Sequence, residues 1–385
     1  MQILSSSNAW QQKDAALTNQ KNAFLSEFEV DPLWVGARKQ GKTTATVAFA
    51  GANPSTGKQA DYTIYYGDTL SPSKQEKLKF AEASGWSNTP TSFSPLMETS
   101  FKIKVEDGEN KEIHVLAFDS SNDEKKNYDK FIVSDNNTIH SSGVSSKDWG
   151  SVSLELEENK TAGFWFKFTA TDPALEKETV MYRSAVTSGL IDGPEGFPER
   201  IRDQFDFFPP QDDDIALEKG WISRKEYEEI SERFVNWVTD VSLFTKNEYQ
   251  PDLLMFYAPQ IELQEHKYLL TDPRQPDYTP EKSRKYMEYI QWSYKVADSV
   301  VGKTVKSLDE NDHLFIVSTP ELGTHGGNPN REQLRAVFMA IGPDIPRGKQ
   351  IEPISNLDIA PTIYELLELQ TPDYVEGKRI KNLTE

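Results

Sequence analysis

Three side chains have types and positions suited to holding a metal ion. Glu262 and His266 lie four residues apart, directly after the apolar run PDLLMFY (251–257), so one helical turn would direct both toward one point. His325 lies in the glycine-rich segment GTHGG, which follows a second apolar run, HLFIV (313–317). Imidazole nitrogens and carboxylate oxygens are good zinc ligands. On spacing alone a solvent-facing Glu/His pair stays an alternative, whereas positions after the ends of strands favour a functional site.

Composition restricts which ligands and partners the chain can use. There is no cysteine, so disulfides, thiolate catalysis and Cys-ligated zinc are excluded, and a metal must be held by Asp, Glu or one of the five His. The 61 acidic and 42 basic residues give a formal net charge of −19. This charge disfavours nucleic acid and anionic membranes as partners. A small phosphoester substrate stays compatible, because a bound cation can reverse the local field.

The N-terminal residues contain no apolar signal core, and no stretch approaches the ~20 apolar residues that a membrane span requires. We therefore predict no membrane span and a cytoplasmic location by default. An extracytoplasmic location stays open if the natural N-terminus lies upstream of Met1.

The apolar pattern predicts an α/β fold, with a mostly parallel sheet flanked by helices and an inserted antiparallel β module. Short runs of β-branched and aromatic residues, separated by polar turns, occupy 92–190. We predict a first part of the α/β domain at 1–91, the inserted module at 92–190 and the second part of the α/β domain at 191–385. Within these parts DPLWVGARKQ (31–40) and SPSKQEKLKF (71–80) are predicted helices. PDLLMFYAP, HLFIVS and AVFMAIG are predicted buried strands.

Helix boundaries are indicated by capping residues. Ser223 with Glu226 forms a capping box, and Thr279 followed by Pro280 starts a helix that we predict to run through Leu308. Ser355 or Asn356 is predicted to cap the last helix. The buried face of the long helix is predicted to carry Tyr286, Ile290, Tyr294, Ala297, Val301 and Val305.

The segment GARKQGKT (36–43) satisfies the nucleotide-binding pattern GxxxxGK[ST]. That pattern binds phosphate only where a strand leads into the loop and a helix follows. Here a predicted helix comes first and a strand, TTATVAFA, comes after. We therefore predict that Gly41 is a helix C-terminal turn and that the segment does not bind nucleotide.

Two acidic motifs have simpler interpretations than metal binding. The run Asp212-Asp213-Asp214 could bind calcium, but a solvated loop or helix N-terminal charge is favoured. Asp312-His313 begins a predicted strand and therefore lies about 16 Å from the opposite edge of the sheet. We interpret this pair as a strand boundary.

Four segments together resemble the type I phosphodiesterase/nucleotide pyrophosphatase branch of the alkaline phosphatase superfamily, including bacterial members. They are DPLWVGARKQGKTTATVAFAG, PDLLMFYAPQIELQEH, GTHGGNPNREQLRAVFMAIGPDI and PISNLDIAPTIYELLEL. The resemblance covers nearly the whole chain. It implies an alkaline-phosphatase-like fold and phosphoester hydrolysis at two zinc ions ~4 Å apart.

The resemblance also implies a role for individual residues. Glu262 falls where the family has an Asp ligand, His266 and His325 match its His ligands, and Glu265 replaces the usual Gly. These residues imply one divalent cation, with zinc the first choice. The second metal's Asp-His pair is expected where the chain reads STPE (318–321). Thr319 is a weak candidate for a substitute nucleophile, since no obvious activating group adjoins it.

The family's first strand, with its Asp ligand and its nucleophile, is expected before DPLWV, and Met1 to Val30 holds no match to it. The sequence thus predicts a phosphodiesterase/pyrophosphatase-like protein with a small phosphoester substrate and impaired or absent turnover. The alternatives are a non-catalytic metal-binding or scaffold protein and a truncated gene product. Losing a strand would expose a sheet edge, which predicts marginal stability or a homo-oligomer.

Overall fold

The computed structural model describes residues 28–105, 108–139, 142–154, 156, 160–318, 336–381 and 383. The chain divides into two compact units. The first comprises the described parts of Met1–Tyr65, Asp192–Pro194 and Val238–Glu385, and the second comprises those of Tyr66–Ile191 and Glu195–Trp237. Together they have the α/β composition that the sequence predicts. The boundaries predicted at 91/92 and 190/191 stay predictions.

The first unit contains the parallel part of the fold. Strand β1 (Thr44–Val47) lies between β13 (Leu253–Phe256) and the start of β2 (Tyr62–Ser71), and both pairings are parallel. Its remaining elements are α1 (Leu33–Arg38), the end of α4 (Arg224–Tyr249), α5 (Gln260–Tyr268), α6 (Pro280–Lys306), β14 (Leu314–Val317), β15 (Phe338–Ile341) and α7 (Ile359–Leu366).

The second unit is a β sandwich with helices on one side. One sheet has the order β2, β12 (Val186–Asp192), β10 (Lys160–Ala170), β11 (Thr179–Arg183) and β3 (Lys74–Leu78), and β9 (Gly150–Leu154) also pairs with β10. The other sheet contains β4 (Ala81–Glu82), β5 (Met97–Lys104), β6 (Asn110–Phe118), β7 (Lys130–Ser134) and β8 (Val144–Ser145). Helices α2 (Phe197–Phe205), α3 (Asp214–Glu218) and the first part of α4 complete the unit.

Aromatic side chains form the centre of this sandwich. Phe131 and Phe168 stack with ring centroids 4.1 Å apart, and Phe101 meets Phe164 edge-on at 6.4 Å. These rings belong to opposite sheets and share one buried cluster. Burial of large rings in offset and edge-on contacts contributes strongly to a core. The strands predicted in 92–190 therefore form because alternate side chains enter this core.

The predicted helix at 71–80 is wrong, because β3 occupies Lys74–Leu78. β3 pairs antiparallel with β11, which turns Glu76 and Leu78 inward. A buried Glu is unusual in a strand, but Arg183 lies 3.6 Å from Glu76 and its guanidinium also donates to the Pro72 and Ser184 carbonyls. This pairing across strands offsets the cost of burying the carboxylate, and no local pattern reveals it.

The capping signals are confirmed. Ser223 and Glu226 exchange hydrogen bonds at the start of α4, where the Ser223 N–H donates to Glu226 and the Glu226 N–H donates to the Ser223 hydroxyl. Thr279 accepts from the Lys282 N–H at the start of α6. Ser355 forms a capping box with Asp358 in the 3-10 turn before α7.

The predicted buried face of α6 is largely wrong. Tyr294 and Val305 are 52% and 39% exposed. The buried residues are Ile290, Ser293, Val296, Val300 and Thr304. The hydroxyls of Ser293 and Thr304 donate to helix carbonyls at 2.7 and 2.8 Å, which allows polar side chains to be buried there. A buried face predicted from apolar residues alone therefore omits both Ser293 and Thr304.

The three apolar runs predicted as buried strands form strands but are not buried. β13 is an edge strand of its sheet in the described part of the chain, and its residues are half-buried. β14 and β15 pair antiparallel with each other as a two-stranded sheet. Val317, Met339 and Ile341 on these two strands are 41–48% exposed. The two strands are apolar, but their edge-to-edge pairing leaves both faces of the two-stranded sheet without a covering layer from that pairing.

Candidate functional site

The candidate metal centre lies where β13 leads into α5. β13 and β1 are parallel, and their last paired residues are Phe256 and Val47. After Pro259, α5 begins at Gln260, so its first turn lies at the carboxyl end of both strands. Catalytic and binding groups of open α/β sheets collect at this edge. The sequence-based placement of the Glu/His pair after a strand is therefore confirmed.

Glu262 and His266 approach each other on α5. Glu262 Oε1 lies 3.7 Å from His266 Nε2, as the i, i+4 spacing predicts. Glu262 is only 8% exposed, whereas His266 is half-buried. The solvent-facing alternative is therefore wrong for the carboxylate. Burying a carboxylate costs free energy unless a cation or hydrogen-bond donors compensate, so this position suits a cation-binding group.

The separation between these atoms suits two ligands of one cation. Zinc–nitrogen and zinc–oxygen bonds of about 2.0–2.2 Å at tetrahedral angles hold neighbouring ligand atoms roughly 3.4 Å apart. The observed 3.7 Å is close to this separation. A small side-chain adjustment would bring both atoms into a common coordination sphere.

The third candidate ligand, His325, lies outside the described residues, as does Thr319. Within the described residues no group of three or more His, Cys, Asp or Glu side chains is arranged to hold a metal. The structure thus brings together two of the three candidate ligands. The complete set of Glu262, His266 and His325 stays a prediction.

Glu265, the residue next to His266, contacts α6. Its carboxylate accepts a 2.9 Å hydrogen bond from the Tyr294 hydroxyl. Burial raises the pKa of Glu265 above its usual range despite this bond. Burial, together with the Glu265 carboxylate, raises the pKa of Tyr294 to about 12. Sequence analysis missed the contact because it assigned Tyr294 to the core.

A groove of about 460 Å³ lies beside Glu265 and Tyr294, between α5 and α6. Its walls include Leu269, Met287 and Ile290. Glu265, which replaces the family's usual Gly, is thus half of a hydrogen-bonded pair that joins two helices. Glu265 is therefore positioned for packing at this groove, and it offers a matched comparison for Glu262 on the same helix.

The nucleotide-binding pattern at 36–43 has the predicted reversed order. Helix α1 ends before Gly41, whose φ of +88° makes the left-handed turn, and β1 follows. Gly36 has a separate reason to be glycine, because a Cβ there would lie 1.9 Å from the Tyr364 hydroxyl oxygen. Gly41 thus allows a left-handed turn, and Gly36 allows close contact between α1 and Tyr364.

The two acidic motifs also have structural roles. Asp213 is the N-cap of α3, where it accepts from the Ala216 N–H and from the Tyr182 hydroxyl at 2.6 Å. The predicted helix N-terminal charge is therefore confirmed. Asp312 pairs with Lys246 at 3.0 Å immediately before β14, as expected for a strand boundary.

Comparison with known proteins identifies the family. The family model described as Type I phosphodiesterase / nucleotide pyrophosphatase matches residues 4–341. The chain belongs to this family. The resemblance inferred from four segments is thereby confirmed, and members of this family are typically metal-dependent hydrolases of the alkaline phosphatase superfamily.

A curated relative lies elsewhere in the same superfamily. The chain is 31% identical over 124 residues to a protein named Extracellular sulfatase SULF-1 homolog from Drosophila melanogaster. The match covers 29% of this chain and 11% of the relative, so the chain spans about a tenth of that protein's length. No solved structure matches the chain. No helix among the described residues is long and apolar enough to cross a membrane.

Proposed function

We propose that this chain binds one divalent cation through Glu262, His266 and His325, with zinc the first choice. The observation that carries the proposal is the 3.7 Å approach of Glu262 and His266 at the carboxyl end of parallel strands. A bound cation would supply Lewis-acid stabilisation of a phosphoester oxygen. Glu262 would contribute negative charge from a site shielded from solvent, and His266 would contribute a neutral imidazole nitrogen from the rim.

We further propose that phosphoester hydrolysis by this chain is weak or absent although its ancestry is enzymatic. The resemblance expects a second metal-binding Asp-His pair after HLFIV, where the chain has Ser318, Thr319, Pro320 and Glu321. Hydroxyl groups and one carboxylate do not replace a carboxylate–imidazole pair in charge or in ligand type. This substitution favours the second candidate function, a non-catalytic metal-binding or scaffold protein of the same fold.

Metal content of the purified protein tests the cation site. We expect about one zinc per chain by mass spectrometry of metals after dialysis. Glu262→Gln and His266→Ala should weaken zinc binding about tenfold or more, because each removes a ligand. Glu265→Gln is the matched control on the same helix and should bind zinc as the wild type does. Equal zinc retention by Glu262→Gln and Glu265→Gln would contradict the proposed ligand set.

Activity is tested separately with bis-p-nitrophenyl phosphate in the presence of zinc. We expect little turnover above that of a protein-free solution. p-Nitrophenyl sulfate is included because the curated relative is named a sulfatase. Turnover of either ester that His325→Ala abolishes and His114→Ala preserves would overturn the proposal of impaired catalysis. Such turnover would not contradict the proposed metal site, so each of the two proposals can be refuted without the other.

A further inference from the structure

The hairpin of β14 and β15 exposes an apolar surface that its own pairing does not cover. Val337 and Met339 are 53% and 48% exposed, and Val317 and Ile341 are 44% and 41% exposed. Scattered exposed apolar residues are ordinary on a protein surface, but a contiguous group marks an interaction site. Val337, Met339 and Ile341 are every second residue along one strand, so they lie on one face and form such a group, whereas Val317 is exposed on the opposite face.

The register of the hairpin makes both of its faces apolar. Leu314 pairs with Ile341 and Ile316 with Met339, which places these four side chains on one face. The opposite face carries Phe315, Val317, Phe338 and Ala340, with the two phenylalanine centroids 5.8 Å apart. An isolated two-stranded hairpin is marginally stable in water and requires further strands or a covering layer.

The outer edge of β15 presents backbone groups suited to pairing. The Ser318 N–H donates to the Val337 carbonyl, so residue 337 faces β14. Hydrogen bonding in an antiparallel pair alternates every second residue, which turns the amide groups of Phe338 and Ala340 away from β14. In the described part of the chain β15 has β14 as its only strand partner. An edge of this kind accepts another strand.

The distribution of charge indicates which molecule supplies the strand that adds to β15. The chain has a net charge of −19, yet the seven residues AVFMAIG (336–342) carry no charge. By contrast, β14 is preceded by Asp309 and Asp312, both paired with Lys246. A basic partner would be attracted to the acidic surface rather than to this uncharged run. Two copies of an acidic chain repel each other least where both present an uncharged surface.

We propose that β15 is a self-association strand, which adds antiparallel to β15 of a second copy and forms a four-stranded sheet from two hairpins. The contact is self-complementary, because Phe338 and Ala340 supply the backbone pairing in both copies. Met339 and Ile341 then lie on one face of the joined sheet beside their counterparts. The symmetry is that of a two-fold dimer, in which the same patch of each copy meets itself.

Analytical ultracentrifugation of the full chain tests this proposal. We expect a concentration-dependent dimer, and we expect Met339→Lys to raise the dissociation constant about tenfold or more, because it places like charges together across the two-fold axis. Leu357→Lys is the matched control: Leu357 is 43% exposed, lies outside the hairpin, and should leave the dissociation constant within about twofold of wild type. A dimer that Met339→Lys leaves unchanged, or a monomer at every concentration, would overturn the proposal.

Amide hydrogen exchange tests the proposal in the wild-type protein, so the result does not depend on whether a variant folds. In wild-type protein the Phe338 and Ala340 amides should become more protected as protein concentration rises across the dimer transition. Protection of these amides that is independent of concentration would mean that another segment of the same chain covers the edge, and self-association through β15 would be wrong.

Discussion

The residue type at position 36 is restricted by a side chain that is far away in the sequence. Gly36 lies within α1, where alanine would ordinarily be the better helix former. The Tyr364 hydroxyl of α7 occupies the space that a Cβ at position 36 would need, and Tyr364 is 1% exposed. Because this ring is enclosed, it cannot easily move aside. The glycine therefore permits close packing of α1 and α7.

We predict that Gly36→Ala lowers the free energy of unfolding by about 1–3 kcal/mol, because overpacking outweighs the gain in helix propensity. Gly302→Ala in α6 is the control, since nothing lies within 4 Å of a Cβ added there. It should stabilise by up to about 1 kcal/mol. Urea denaturation measures both. A Gly36→Ala variant that is as stable as the wild type or more stable would show that Tyr364 does not restrict position 36.

At the scale of the element, the start of α4 combines a cap with a contact to a strand. Glu226 closes the capping box with Ser223, and its carboxylate also pairs with Lys167 of β10 at 2.8 Å. Burial raises the pKa of Glu226, but the hydrogen bonds from Lys167 and Ser223 outweigh it and leave the pKa below its usual range. The charged form is therefore favoured by folding.

This lowered pKa predicts a pH dependence of stability. The unfolded chain takes up the proton first as pH falls, so the stabilisation from Glu226 is present above the unfolded pKa of about 4.3 and is lost as pH falls through the lower folded pKa. We expect Glu226→Gln to cost about 1 kcal/mol at neutral pH. The difference from wild type should shrink toward zero at the acidic end of that window.

Urea denaturation across that pH range measures the effect, with Lys167→Met as the companion variant. Adding Glu226→Gln to Lys167→Met should cost less than adding it to the wild type, because the ion pair is already gone. A constant difference between Glu226→Gln and wild type at all pH values would show that the carboxylate charge contributes nothing at this position.

At the scale of the whole molecule, net charge governs association. A charge of −19 makes copies of the chain repel one another, and salt screens that repulsion. If two copies associate through the uncharged β15 strand, the contact itself contributes no salt-sensitive attraction. The salt dependence of the dimer should then report only the repulsion between the two chains.

We therefore predict that self-association tightens severalfold between about 0.02 M and about 0.3 M sodium chloride, where the Debye length falls from roughly 20 Å to roughly 6 Å. Sedimentation velocity at fixed protein concentration gives the measurement. Weaker association at high salt would indicate an interface held by ion pairs, in which case the uncharged β15 edge is not the contact.

The sequence by itself determined the features that depend on near neighbours in the chain. The sequence predicted the caps at Ser223 and Thr279, and a cap at Ser355 or Asn356, because a capping side chain bonds groups no more than three residues away. The reversed order around Gly41 excluded a phosphate loop for the same reason. Glu262 and His266 converge because one helical turn brings them together, and the ordered segments identified the family.

Only the tertiary structure decided what depends on distant partners. The Glu76 carboxylate is buried in β3 with the Arg183 guanidinium of β11 3.6 Å away, and Glu265 accepts a hydrogen bond from Tyr294 on another helix. Ser293 and Thr304 bond carbonyls of their own helix, but the side of α6 that is buried depends on what packs against it. Burial is set by what packs against an element. Local pattern therefore predicts that β14 and β15 are strands, whereas their exposure depends on which neighbours the fold supplies.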